Sequence, residues 1–382
     1  MNFYKAIMFL NKFSVLNLYG KDELSIDFKH RVTFLTGING SGKSTLLNVI
    51  FDSLIRDPEK FGKPSTSKNR FWASKAEFDD GVTVESLVIP FVSNDSTVRK
   101  SISESLNRDL YSRDTLNEVK AEFNSTASFH HLTYLNLADK HTGELWGKKW
   151  LRKGDGVELF IPQDEKPVGF LFQEDRQTIH NLENSSYDPE NAYWNIYKNS
   201  IDERFSYIRD VIQIRESHLN NRIVKEISRI NEGSNSFDLE KYMNSKEIRE
   251  VSDELEEISE VEERLTKYLE ASNKVIVRDD DNKITLGYKP TNDEDDPEAI
   301  SWNLLSRGEK TLLYLFFSVY FYKDRTSIFL LDEPEISFHV KWQSTLIQDL
   351  SEIAKNNQFI VATHSPSLIM NGWMDNCLEL RI

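Results

Sequence analysis

Hydrophobic and polar residues alternate with two different periods along the chain, which predicts strands and helices in turn. Leu24, Ile26 and Phe28 alternate with polar residues, a pattern that is typical of a half-buried strand. The following stretch "RVTFLTG" predicts a buried strand that ends in a glycine turn. From Ser44 onward the apolar residues recur at helical spacing. The chain therefore starts with a strand, a loop and a helix.

Two long helices are predicted in the middle of the chain. Between Ile201 and Ile230 most apolar residues are spaced three or four positions apart, as on one face of a helix. After the polar turn "NEGSNS" a second apolar stripe runs from Ile248 to Tyr268 with charged residues around it. An antiparallel helical or coiled-coil hairpin is the simplest arrangement, and a solvated three-helix subdomain is the alternative.

The remaining patterns predict two kinds of sheet. Residues 57–75 have a polar, loop-like composition, and "VTVESLVIPFV" (82–92) then predicts a strand of an antiparallel sheet. The stretch from Lys274 to Lys289 predicts a hairpin. From Gly308 onward a buried helix, the strand "SIFLL", an amphipathic helix and the strand "FIVAT" follow one another. This alternation indicates an α/β fold with a mostly parallel sheet.

The overall charge narrows the classes of partner. Lys and Arg total 47 and Asp and Glu total 62, so the formal net charge of −15 argues against a general nucleic-acid coat.

The single cysteine, Cys377, cannot form an internal disulfide, which favours a reducing compartment. No apolar run reaches the ~18 residues of a membrane span, and the N-terminus lacks a signal-peptide pattern. We expect a cytoplasmic protein without a membrane partner.

A phosphate-binding pattern lies between the first buried strand and the first helix. "GINGSGKST" (37–45) matches G-x-x-x-x-G-K-[ST] in the structural context that this motif requires. Its glycines let backbone amides turn inward, and the helix N-terminus adds positive potential. Lys43 is expected to reach the β and γ phosphates of ATP, and the Ser44 hydroxyl to ligate Mg²⁺. The residues expected to bind the nucleotide are Asn39, Gly40, Ser41, Gly42, Lys43, Ser44 and Thr45.

Polar residues at the ends of later strands supply the rest of a hydrolytic site. In "SIFLLDEPE", Asp332 is expected to hold Mg²⁺ and Glu333 to act as general base, with an ordinary acidic turn as the alternative. In "ATHSP", His364 is suited to donate to the γ phosphate, although a lone histidine is more often structural. Gln173 is a candidate for contacting the metal and the attacking water. Gln163 competes for that role, and a surface glutamine without a role is a further alternative.

The stretch "LSRGE" (305–309) stands at the start of the most apolar helix. Ser306 and Glu309 have the spacing of a capping box, in which two backbone amides at a helix start are satisfied. On this stretch alone, plain capping of the helix is the favoured interpretation.

In order and spacing, these motifs resemble those of the ABC-type ATPases across nearly the whole chain. The resemblance implies a head with a P-loop core in a mixed sheet, an antiparallel β subdomain and an inserted helical or coiled-coil hairpin. It implies ATPase lobe I at residues 1–190, the hairpin at 191–272 and ATPase lobe II at 273–382.

The same resemblance implies that each ATP site is shared between two subunits. In this family the signature helix faces the nucleotide of a second copy, with Ser306 and the Gly308 amide on the γ phosphate. Arg307 and Glu309 are expected to lie beside that nucleotide. The expected assembly is a homodimer, with a higher oligomer of dimers as a further option.

Departures from the common pattern indicate a branch of the family. Arg307 stands where transporter cassettes usually have glycine, and "DEPEISFHVKWQ" lacks the usual S-x-L-D. The inserted hairpin is similar to that of SMC and RecF proteins. "DEPEISFHVKWQ" and "ATHSP" together resemble OLD-family nucleases and bacterial anti-phage ATPases such as AriA and PtuA. Only 18 residues follow His364, so any nuclease is expected to be a separate protein.

The function implied is an ATP-hydrolysing sensor or switch that controls a separate nuclease effector in bacterial anti-phage defence. DNA or a phage protein is a candidate trigger. A RecF- or SMC-like repair ATPase that binds DNA directly is the main alternative. A transporter cassette and a nucleotide-bound scaffold are two others.

Overall fold

The computed structural model describes residues 8–18, 23–55, 72–89, 110–118, 145–154, 157–160, 166–173, 200–231, 239–290 and 296–380. The strands are β1 (Leu10–Leu16), β2 (Glu23–Asp27), β3 (Val32–Thr36), β4 (Trp72–Phe78), β5 (Val82–Ile89), β6 (Leu145–Gly154), β7 (Val157–Phe160), β8 (Gly169–Gln173), β9 (Lys274–Arg278), β10 (Ile284–Tyr288), β11 (Glu298–Ile300), β12 (Ile328–Asp332), β13 (Gln358–Ala362) and β14 (Cys377–Glu379). The main helices are α1 (Lys43–Leu54), α2 (Ile201–Ile230), α3 (Leu239–Asn244), α4 (Lys246–Leu269), α5 (Arg307–Tyr322), α6 (Val340–Ile353) and α7 (Pro366–Ile369).

A five-stranded parallel sheet with the order β14-β3-β13-β12-β8 forms the centre of the fold. Its inner strands are buried almost throughout, because apolar layers cover both faces. The parallel sheet expected from the alternation of helices and strands is confirmed. The pairing places Asp332 opposite both Gln173 and Ala362. The carboxyl ends of β3, β8, β12 and β13 therefore meet at one edge, which is the usual position of a ligand site in such sheets.

A six-stranded antiparallel sheet with the order β2-β1-β4-β5-β6-β7 lies beside the first. The prediction of a loop at residues 57–75 is wrong from Trp72 onward, because β4 begins there. Its small residues carry little hydrophobic signal but fit a close contact with α1. Ser74 Oγ and Ser53 Oγ of α1 lie 2.7 Å apart in that contact. The strand predicted at Val82 is confirmed as β5.

The two predicted long helices are confirmed as α2 and α4, which run antiparallel with the short α3 between them. Ser245 Oγ donates to Glu226 at 2.6 Å near one end of the pair. Arg222 Nε donates to Glu247 at 2.6 Å further along. Within the described part of the chain no helix is both long and apolar enough to cross a membrane.

Alternate residues of each central strand enter two different cores. In β12, Phe329 and Leu331 pack toward α2, α4 and α5, whereas Ile328 and Leu330 pack toward α1 and the antiparallel sheet. Helix α5 is buried almost all round, and each fully buried Leu or Phe contributes roughly 1.5–3 kcal/mol. This packing fixes α1 and α5 on opposite faces of the parallel sheet.

The core on the α5 side contains residues from all three predicted parts of the chain. Phe170, Phe205 and Phe316 belong to the same buried cluster. The base of the hairpin therefore packs into the core and does not stand apart from it. The division at residues 190/191 and 272/273 stays a prediction.

Candidate active site

The loop after β3 turns tightly back toward the sheet, and its glycines make that turn possible. Gly37, Gly40 and Gly42 have φ angles of 140°, 81° and 84°, which side chains other than glycine rarely adopt. A Cβ at Gly37 would lie 2.7 Å from the Leu380 carbonyl oxygen and 2.8 Å from Ser41 Oγ. Asn39 and Gly40 are exposed at the tip. The loop therefore forms a narrow cradle with its rim open to solvent.

The groups around this cradle are suited to an anion. Helix α1 begins directly after Gly42 without a side-chain cap, so its first amides point toward the cradle. Ser41 Oγ is buried and has no hydrogen-bond partner within the described residues. Lys43 Nζ donates to the carbonyl oxygens of Gly37 and Ile38 at 3.0 and 3.2 Å. These donors fit the phosphates of a nucleotide, and partly exposed Thr45 lies in the same first turn.

Burial changes the charge balance of this cradle. It lowers the pKa of Lys43, while the nearby carboxylates of Glu333 and Asp332 act in the opposite direction. An arriving phosphate would add negative charge beside the ammonium group. Phosphate binding and protonation of Lys43 therefore favour each other.

Three oxygen-bearing side chains meet where β8, β12 and α1 come together. Ser44 Oγ donates to Asp332 Oδ1 at 2.9 Å. Gln173 Nε2 donates to Asp332 Oδ2 at 3.0 Å. Hydroxyl, carboxylate and amide oxygens are ligands that suit Mg²⁺, so these three residues fit a magnesium site. The competing residue Gln163 lies outside the described residues.

Glu333 lies just beyond that cluster in an unusual backbone conformation. Its φ of 47° is in the left-handed region, which costs about 1–3 kcal/mol for a residue other than glycine. Its amide donates to the Ala362 carbonyl oxygen at 2.8 Å, which ties the turn after β12 to the end of β13. The side chain lies 3.6 Å from His364, measured from Oε1 to Nε2. The fold therefore brings the predicted base and the predicted γ-phosphate donor together.

The residues of "LSRGE" form a capping box at the start of α5, as predicted. Ser306 Oγ accepts from the Glu309 amide at 3.3 Å, and the Ser306 amide donates to Glu309 Oε2 at 2.8 Å. A Cβ at Gly308 would lie 2.5 Å from the Ser337 carbonyl oxygen, so glycine is required by a close approach of two backbone segments. Arg307 is exposed at this helix end.

Glu309 is held by groups from β9 as well as by the cap. Its carboxylate is 2.6 Å from Lys274 Nζ. Burial alone would raise the pKa of Glu309, but Lys274 and Ser306 outweigh it, and the pKa lies below its ordinary value. The start of α5 is therefore anchored to β9, while the residues of the phosphate loop are anchored to β12.

Two buried residues beside the site were missed by the sequence analysis. Arg204, in the first turn of α2, donates through Nη1 to the Gln173 carbonyl oxygen at 2.7 Å. Glu335, two positions after Glu333, accepts a hydrogen bond from the Thr363 hydroxyl. The repeated acid in "DEPE" was a signal for Glu335. No sequence pattern indicated Arg204, because its hydrogen-bond partner Gln173 lies 31 positions away in β8.

A glycine-rich loop between a buried strand and a helix, with carboxylates at the end of a neighbouring strand, defines an ATP-hydrolysing P-loop protein with the fold of an ABC-type ATPase head. The chain belongs to the AAA ATPase domain family, whose model matches residues 8–369. It binds and hydrolyses ATP.

Curated relatives support the same class. The chain is 23% identical over 388 residues to "Retron Ec83 probable ATPase" of Escherichia coli, which covers 92% of this chain and 68% of the relative. It is 25% identical over 376 residues to "Retron Vc95 probable ATPase" of Vibrio cholerae serotype O1 biovar El Tor, covering 88% and 66%. The chain thus spans about two thirds of the length of these relatives. A segment of 61 residues is 39% identical to "Endonuclease GajA" of Bacillus cereus (strain VD045), covering 16% of this chain and 10% of that protein.

Solved structures with a similar chain path include the Smc head domain from Pyrococcus furiosus, with a TM-score of 0.43 and 12% identity, covering 98% of this chain and 94% of that one. The recombination mediator protein RecF has a TM-score of 0.38 and 13% identity, covering 100% and 98%.

Proposed function

We propose that this chain is an ATP-driven switch that closes as a homodimer around two nucleotides and controls a separate nuclease in bacterial anti-phage defence. The observation that supports it best is the meeting of Lys43, Ser44, Gln173, Asp332 and Glu333 at one edge of the sheet. The side chains at this edge are suited to bind phosphate, to hold a metal ion and to activate a water molecule.

In the proposed reaction the side chains divide the chemistry between them. Lys43 binds the β and γ phosphates, and Ser44, Asp332 and Gln173 hold Mg²⁺, which would neutralise phosphate charge. Glu333, the residue directly after β12, accepts a proton from the attacking water, because its carboxylate lies beside the Asp332 cluster and His364. His364 Nε2 donates to the γ phosphate from its position beside Glu333. The water attacks phosphorus, and the bond to the leaving ADP oxygen breaks.

The proposed dimer supplies the donors that complete each site. Ser306 and Arg307 are exposed at the start of α5, whereas Gly308 is buried. The Ser306 hydroxyl donates to Glu309 Oε2 at 2.8 Å, and in the proposed dimer it would donate to the phosphate instead. A helix N-terminus of this kind favours an anion. In a head-to-tail pair it would face the γ phosphate held by the other copy, so closure would depend on an intact ATP. Dimers of dimers remain compatible with this geometry.

The proposed defence role is supported by the resemblance of "DEPEISFHVKWQ" and "ATHSP" to anti-phage ATPases. The names of the retron relatives and the short similarity to an endonuclease point to the same setting. We propose a cytoplasmic location, a nuclease effector encoded separately, and DNA or a phage protein as the trigger. The charges on the hairpin bear on whether DNA binds this chain directly.

One face of the hairpin helix α4 does not favour direct binding to DNA. Four acidic residues lie exposed along one face of α4, at Asp253, Glu256, Glu260 and Glu263. Their spacing of three and four positions places them on one stripe. Such a stripe repels phosphates, whereas DNA binding relies on cations that displace counterions.

The variant Glu333→Gln tests the hydrolytic assignment. We expect turnover to fall about 10²- to 10⁴-fold while nucleotide binding persists, because the amide retains the shape but cannot accept a proton. Glu256→Gln, the same change on the exposed face of α4, is the matched control and should leave turnover unaltered. Unchanged hydrolysis in Glu333→Gln would show that Glu333 is not the base.

The switch itself is tested with the product of the adjacent reading frame, co-expressed and purified with this chain. Nuclease activity of the complex should change with ATP, and Glu333→Gln should hold it in the ATP-bound response. A co-purified partner whose nuclease activity is indifferent to ATP and to Glu333→Gln would rule out the proposed control.

A further inference from the structure

Glu335 is a buried acid between two loops of the site. Its side chain is 4% exposed, although it belongs to the short turn between β12 and α6. Oε1 accepts a hydrogen bond from the Thr363 hydroxyl. Oε2 is buried without a hydrogen-bond partner in the described part of the chain. Burying a carboxyl group is costly, so its presence here requires a compensating advantage.

Polar contacts continue from Glu335 around a closed circuit. The Thr363 hydroxyl accepts from the Ser365 amide at 2.8 Å, and Ser365 Oγ donates to Gln343 Oε1 at 2.6 Å. Gln343 Nε2 donates to the Phe338 carbonyl oxygen at 3.0 Å. The Phe338 amide donates to the Glu335 carbonyl oxygen at 2.8 Å, which returns the circuit to its start. The turn after β12, the loop after β13 and helix α6 are thereby joined.

Glu333 and His364 are attached to opposite sides of this circuit. His364 lies between Thr363 and Ser365, which both belong to it. Glu333 precedes Glu335 by two positions and is held at a positive φ of 47°. Its Oε1 lies 3.6 Å from His364 Nε2. The Glu333 amide already ties the turn after β12 to the end of β13 through the Ala362 carbonyl oxygen. The circuit adds a second connection, made by side chains, through which one loop can set the position of the other.

We propose that Glu335 is a positioning residue that fixes the separation of Glu333 and His364 by fastening the turn after β12 to the loop after β13. The inference rests on the proposed roles of Glu333 and His364. Glu335 acts through Thr363 and does not itself contact the nucleotide.

The chemistry at position 335 is specified by Thr363. Its hydroxyl already accepts from the Ser365 amide, and its single proton is directed to Glu335. Position 335 must therefore present an acceptor oxygen at the right distance. Glutamate and glutamine both have one, whereas alanine has none.

Steady-state ATP hydrolysis of the full-length chain tests this proposal. We expect Glu335→Ala to lower kcat about 10- to 100-fold with KM for ATP changed less than about twofold, because the reacting groups are misplaced but phosphate binding is intact. Glu335→Gln should remain within about threefold of the wild-type kcat, because it restores the acceptor. Thr363→Val should reproduce the loss, Thr363→Ser should not, and Glu335→Ala/Thr363→Val should be no worse than either single variant.

Several outcomes would overturn the proposal. One is a folded Glu335→Ala chain with wild-type kcat, and another is a double variant whose loss is the product of the single losses. A rise in KM without a change in kcat would place Glu335 in binding instead. If Glu335→Ala does not fold, Thr363→Val provides the test. A wild-type kcat in Thr363→Val would show that the circuit can be broken without loss of turnover, which overturns the proposal. Full turnover in Glu333→Gln would show that Glu333 is not the base. The kcat of Glu335→Ala would still show separately whether the circuit is needed for turnover.

Discussion

Single residues near the site differ in which protonation state the fold favours. Burial raises the pKa of Glu335 to about 7, and the neighbouring Glu333 carboxylate adds to the increase. The pKa of Glu309 lies below its ordinary value, because Lys274 and the cap at Ser306 outweigh burial. Glu335 and Glu309 are buried to a similar degree, but their pKa values are shifted in opposite directions. The difference arises because a lysine lies beside Glu309.

This difference predicts how stability depends on pH for Glu335→Gln. The unfolded glutamate titrates near pH 4.3, so between about pH 5 and 7 the folded chain binds the extra proton and wild-type stability falls as pH rises. Glutamine does not titrate. We expect the stability of Glu335→Gln relative to the wild type to increase from pH 5 to pH 8 in urea unfolding measured at each pH.

Glu309→Gln provides the control of opposite sign. The lowered pKa of Glu309 means that its contribution is present above about pH 5 and is lost as pH falls. Glu309→Gln should therefore lose stability relative to the wild type as pH rises through the acidic range to about 5. Parallel curves for Glu335→Gln and the wild type from pH 5 to pH 8 would contradict the burial of an uncompensated acid at position 335.

At the scale of elements, the first turn of α2 joins the two halves of the site. Arg204 donates to the carbonyl oxygen of Gln173, and its guanidinium lies 5.8 Å from the centre of the Phe172 ring. Two positions earlier, Asp202 lies 2.5 Å from Lys310 Nζ in the first turns of α5. The base of the hairpin thus contacts both the strand that carries the proposed metal ligand and the helix that carries the signature.

The variant Arg204→Met tests this connection. Methionine retains most of the apolar packing against Phe172 but cannot donate to Gln173, so the end of β8 loses one fixed contact. We expect kcat to fall about tenfold and the Mg²⁺ concentration for half-maximal turnover to rise, measured by ATP hydrolysis in a magnesium titration. Arg215→Met is the matched control. Arg215 lies on the same helix but pairs with Glu254 at a more exposed position, so its loss should leave both values unchanged.

The sequence was sufficient for the long elements and for local motifs. The apolar periods predicted α2, α4 and α5, and the spacing of Ser306 and Glu309 predicted a capping box that the fold contains. Strand β4 was not predictable in this way, because its serine and alanine residues resemble a loop in composition. The contacts of Arg204 and Lys310 join residues 31 and 108 positions apart. No local pattern specifies such pairs, since they depend on how helices are placed on the sheet.

At the scale of the whole molecule, the proposed donors for one ATP lie in two separately anchored groups. The phosphate loop is tied to β12 through Ser44 and Asp332, and the start of α5 is tied to β9 through Glu309 and Lys274. If two copies pair head to tail, each phosphate loop meets the helix start of the other copy. Both groups of donors must then be intact, but they need not be intact in the same chain.

Mixing two inactive variants tests this division. Lys43→Ala removes the phosphate-binding cation, and Ser306→Arg blocks the helix start that would face the other copy's nucleotide. Each variant alone should hydrolyse ATP at a small fraction of the wild-type rate. In an equal mixture half of the dimers are mixed, and one of their two sites combines an intact Lys43 with an intact Ser306. Turnover should therefore recover to roughly one quarter of the wild-type rate per chain. A mixture of folded variants that is no faster than its components would show that the site is completed within a single chain.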